Sequence, residues 1–200
     1  MPPSPESPPS KVFPISMGLM VVGCGPEAAF RAPDGVTEQA TRRLARRLRL
    51  PHRPITDPRS PHLQLRQLQK SEGGWLASLP LDPGQALADG SNWAEALGAW
   101  HQPSLLIIAA SQHSSGVAAS ATALLRQWQV PLLGLVQWGG TWNRDLRRRD
   151  GLPWLGRLED ATTEGDSDSP LAALLIRRWA LLDLPWRAPG PQLDQLVPMA

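Results

Sequence analysis

The chain has 200 residues, a formal net charge of +2, one cysteine and 22 prolines. That length suits one domain with a core of two or three layers. The near balance of charge gives no indication of a nucleic-acid partner, the lone cysteine excludes an internal disulfide, and no apolar run of about 18 residues could span a membrane.

Arg far outnumbers Lys, which occurs only as Lys11 and Lys70, and Trp is abundant while Tyr is absent. One unpaired cysteine fits a reducing, cytoplasmic setting. Residues 1–16 are rich in Pro and Ser and read as a disordered leader. They lack the basic start and apolar middle of a secretion signal.

Residues 18–22 form a short buried strand candidate that runs into "GCGPEAAF". The strand-and-turn pattern resembles the start of a phosphate loop. Such a loop needs Gly-x-x-x-x-Gly-Lys-Ser/Thr, with backbone amides around the phosphates and the Lys reaching the terminal ones. No such string occurs in the chain, Pro26 has no amide to give, and Glu27 would repel phosphate.

Residues 37–50 read as a helix, because Val36, Ala40, Leu44 and Leu48 recur every four residues. Arg42, Arg43, Arg46, Arg47 and Arg49 lie off that stripe and read as a solvated face. Pro51 ends the helix, and residues 51–62 read as loop. Asn92 and Glu95 form a capping box for a helix over 93–100.

"PSLLIIAA" reads as a fully buried strand. A helix follows Ser114-Ser115-Gly116, with Val117, Ala121, Leu124, Leu125 and Trp128 on one face. "VPLLGLVQW" and "LPWLGRL" are further strands, "RDLRRRD" is a charged loop, and Ser169-Pro170 opens a last helix. Buried strands alternating with amphipathic helices predict an α/β fold with a parallel β-sheet flanked by helices. The domain is expected over 17–186, with a flexible tail over 187–200.

Several strings in this order carry a family resemblance. They are Ser60-Pro61-His62, then "SEGGWLASLPL", "WAEALGAWHQPSLLIIAA", "LLRQWQVPLLGLVQW" and "LPWLGRL". Over residues 20–160 the chain resembles the dethiobiotin synthetases. These ATP-dependent enzymes carboxylate 7,8-diaminopelargonate and close its ring in biotin synthesis.

The resemblance implies a P-loop-NTPase-like three-layer domain whose first strand and phosphate loop are missing or degraded. It implies magnesium and ATP as cofactors and a small-molecule substrate. Ser60, Pro61, His62, Gly73 and Gly74 would line the site, and Glu38 and Glu72 would be the carboxylates beside the metal. A homodimer is expected by the same route; apolar-run length speaks against a membrane partner, and the charge balance disfavours a nucleic-acid one. The missing loop could also lie upstream of a mis-set coding start.

Phosphoryl transfer depends on a clamp of backbone donors, Lys and magnesium. Without the loop, two further readings stand beside the first: a non-catalytic binding or regulatory protein on the same fold and, last in order, an Arg-mediated nucleic-acid binder. Cys24 reads as a structural thiol, because no base is marked out beside it. His52, His62, His101 and His113 show no metal-ligand spacing. Trp75, Trp100, Trp128 and Trp138 are expected in the core.

Overall fold

The computed structural model describes residues 18–24, 35–112, 116–159 and 169–182. The expected leader and tail lie outside these residues. Five strands form one sheet: β1 (Gly18–Gly23), β2 (Trp75–Ser78), β3 (Ser104–Ala109), β4 (Leu132–Trp138) and β5 (Trp154–Leu158). Their order is β2-β1-β3-β4-β5, and every pairing is parallel.

The strands form where the sequence is apolar and uninterrupted. All six residues of β1 and all six of β3 are buried. Parallel strands covered on both faces carry such runs in place of an alternating pattern.

Six helices supply the cover: α1 (Val36–Leu48), α2 (Pro61–Gln69), α3 (Trp93–Ala99), α4 (Val117–Gln127), α5 (Arg144–Arg149) and α6 (Ser169–Leu182). One face of the sheet packs on α1 and α6, through Ala40, Leu44, Leu171, Leu175 and Trp179. The other packs on α2, α3 and α4, through Leu65, Trp93, Leu97, Ala121 and Leu125. The α/β three-layer fold is therefore present.

Local departures from the sequence reading have physical causes. Helix α1 stops at Leu48, and Arg49 turns left-handed with its amide on Ala45 and Arg46 carbonyls. The stretch read as loop after it is not all loop. Residues 51–53 run beside β2, with His52 bridged to Leu76. Helix α2 then begins at Pro61, a residue suited to a first helical turn.

The stretch "RDLRRRD" is likewise not loop but helix α5. Asn143 caps it, accepting from the amides of Asp145 and Leu146. The Asn92 cap of α3 matches expectation, with its side chain accepting from the Glu95 amide at 2.9 Å. Trp75 and Trp138 are buried as expected, while Trp100 and Trp128 are only partly so.

Two helices of one layer meet almost without side chains between them. A Cβ on Gly98 of α3 would lie 1.8 Å from the carbonyl oxygen of Trp128, at the end of α4. Alanine would gain about 1 kcal/mol of helix propensity there. The clash with fixed backbone costs about 1–3 kcal/mol or more, so the clash wins. Gly98→Ala should lower the melting temperature by several degrees in a thermal melt; an unchanged or raised value would show that α3 and α4 are not this close.

Candidate functional site

In sheets of order 2-1-3-4-5, ligands bind beyond the carboxyl ends of the strands, where the order reverses between β1 and β3. In this chain a side chain of the protein itself bridges the ends of these two strands. The turn Ala110–Gln112 follows β3 and brings Gln112 back over the strand ends. Its Nε2 donates to the Cys24 carbonyl at 2.8 Å, and its Oε1 accepts from the Ala109 amide at 3.2 Å. Gln112 is buried.

Cys24 is buried beside this bridge. Burial pushes its thiol far up from the ordinary value, and Asp82 adds to the shift. A thiol held neutral is a poor nucleophile, so the structural reading of Cys24 suits its surroundings.

Glu38 lies in the first turn of α1, at the same edge of the sheet. Its Oε1 accepts from Arg42 Nε at 2.6 Å, and its Oε2 accepts from the hydroxyl of Ser78, the last residue of β2. His52 Nε2 lies 3.4 Å from Ser78 Oγ and 3.5 Å from Glu38 Oε2.

A serine, a histidine and a glutamate thus meet, but not as a relay. A relay places the nucleophile on one imidazole nitrogen and the carboxylate on the other. Here both face Nε2, and the serine donates directly to the carboxylate. The arrangement ties α1, residue 52 and β2 together. It was hidden in the sequence because Ser78 is 40 residues from Glu38 and 26 from His52.

The remaining residues from the resemblance lie at the two ends of α2. Ser60, Pro61 and His62 stand at the start of α2, and Glu72, Gly73 and Gly74 follow its end. The nine-residue helix between them spans about 13 Å. Gly73 and Gly74 precede β2, whereas Ser78, the partner of Glu38, ends it. Glu72 is exposed. Among the described residues, no three His, Cys, Asp or Glu side chains are grouped to hold a metal.

His62 and Ser60 have local structural partners. Trp100 Nε1 donates to His62 Nδ1 at 2.9 Å, which leaves the imidazole proton on Nε2. The Ser60 hydroxyl donates to Asp57, and that bond, with the Arg59 amide, holds the exposed Asp57 carboxyl below its ordinary range.

A second polar knot, unmarked in the sequence reading, lies past the end of β4. Gln137 donates to the carbonyls of Gly139 and Thr141 at 2.8 and 3.1 Å, and accepts from Arg147 NH2 at 2.8 Å. Arg147 is only 7% exposed and lies 4.5 Å from the centre of the Trp154 ring. Its Nε has no hydrogen-bond partner among the described residues. Gly139 and Gly140 both have φ near +65°, the left-handed region that glycine enters most freely. The cue in the sequence is Asn143, a good N-cap three residues past the second glycine of the turn.

No family model matches the chain, and no curated protein matches it significantly.

Gln112 gives the clearest test of this geometry. Replacing it with Ala strands a buried carbonyl and a buried amide, each costing about 1–3 kcal/mol. In a domain of this size each kcal/mol is worth roughly 2–4 °C. Gln112→Ala should therefore lower the melting temperature by about 4 °C or more. A melt that matches the parent chain would mean that Gln112 does not bridge these strands.

Proposed function

We propose that the chain is a cytoplasmic, non-catalytic binding protein that acts through its surface and not through nucleotide chemistry at the sheet edge. The observation that carries this reading is the Gln112 bridge. Its side chain takes the Cys24 carbonyl and the Ala109 amide at the place where a doubly wound sheet would offer them to a ligand. The single cysteine, buried and unpaired, supports the location. So does the sequence of the described helices, none of which is long and apolar enough to cross a membrane.

The second reading is an enzyme of the dethiobiotin synthetase type, using ATP and magnesium on a small-molecule substrate. One observation favours it: Glu38 stands at the carboxyl edge of the sheet, where an α/β enzyme keeps its reacting groups. The described residues fit a magnesium–ATP group poorly. Both oxygens of Glu38 already accept hydrogen bonds, and Glu72 lies beyond the far end of α2. Self-association enters both readings only through the resemblance.

Calorimetric titration of the folded chain with magnesium-ATP, with and without 7,8-diaminopelargonate, separates the two. Heat no greater than dilution is expected in both titrations. Saturable micromolar binding of either ligand would overturn the proposal in favour of the enzyme.

A further inference from the structure

The fold gathers arginines that the sequence keeps far apart. Helices α1 and α6 cover the same face of the sheet and touch each other. Arg42, Arg46, Arg47 and Arg49 are exposed on α1 and its cap, and Arg177 is exposed on α6. Glu38 is the one carboxylate carried by these two helices. The chain's overall charge of +2 conceals this segregation.

We infer that this face is a docking surface for the phosphodiester backbone of duplex nucleic acid. Arg42 and Arg46 stand one turn apart on α1, about 6 Å along its axis, with Arg42 also paired to Glu38, and Arg49 follows in the left-handed cap. Arginine also pairs with phosphate through a two-pronged fork, which suits it to this contact better than lysine.

Other polyanions fit less well. Single strands are held by stacking bases on aromatic rings. Helix α1 has no aromatic residue, and Trp179 of α6 is fully buried. Lasting attachment to a bilayer needs an apolar side that inserts as well as charge. The apolar side of α1 is spent on the core, with Ala40, Leu44 and Ala45 all buried, and the exposed large apolar residues of α6 are confined to Leu181 and Leu182 at its end. The contact is with backbone and not base edges, so it discriminates little between sequences.

The test is fluorescence anisotropy with the full chain and a labelled 20-base-pair DNA duplex of arbitrary sequence, at rising sodium chloride. Binding in the micromolar range is expected. With four or five phosphates neutralised, log K should fall against log salt with a slope of about −4. Arg49→Gln and Arg177→Gln, made separately, should each weaken binding and flatten that slope by about 1. Arg46→Gln serves if either variant shows a disturbed circular dichroism spectrum. Arg126→Gln, exposed on α4 across the sheet, should leave binding unchanged.

Four results would overturn the inference: no binding at 50 mM salt, a flat salt dependence, equal loss with Arg126→Gln, or binding to phosphatidylserine vesicles but not to the duplex. Calorimetry with ATP reads the strand-end crevice and this titration reads the helix face, so failure of one reading is distinguishable from failure of the other.

Discussion

A sheet with only parallel strands has no face that can meet water, and this constraint governs the rest of the molecule. Its inner strands β1 and β3 run through the core as almost wholly apolar, buried segments, so each face needs a helical layer. Met20, Val22, Leu106 and Ile108 point into one layer, and Leu19, Val21, Leu105 and Ile107 into the other. With both faces covered, chemistry is confined to the strand ends, and there the backbone must find partners of its own.

Buried glutamines meet much of that need. Gln102 donates to the Gly18 carbonyl at 2.7 Å, pinning the start of β1 to the approach to β3. Gln112 performs the matching task at the opposite ends of the same two strands. Gln137 holds the turn after β4, and Gln64 accepts from Thr56 to fix the loop before α2. An amide side chain offers two donors and an acceptor with two lone pairs, so one residue can bridge segments distant in sequence. Where a nucleotide-binding protein keeps such groups open for its ligand, this chain closes them internally. That closure by Gln112 is the observation that supports the proposed non-catalytic reading.

The sequence made the interior of the fold readable and left its polar contacts obscure. Strands β1, β3 and β4 and helix α1 announce themselves, because burial repeats at two faces or every fourth residue. Helix α2 does not, because Gln64 occupies a buried position that the pattern expects to be apolar. Helix α5 fails for a similar reason: its buried residue is Arg147, which finds Gln137 and the Trp154 ring only after folding. Of the candidate site, Glu38 was named in advance, but its partners Ser78 and His52 were not. Local spacing cannot announce a contact that the chain makes across 40 residues. The arginine face is the same lesson on a larger scale, since α1 and α6, more than a hundred residues apart, come together only once both pack on one face of the sheet.

The account turns on whether the strand-end crevice is closed by Gln112. The most direct measurement is native-state hydrogen exchange, followed residue by residue by NMR. The Ala109 amide should exchange only when the whole domain opens, at the same free energy as Ile107 in the middle of β3. Rapid exchange at Ala109 beside a protected Ile107 would show an open crevice, and would contradict the account at its centre.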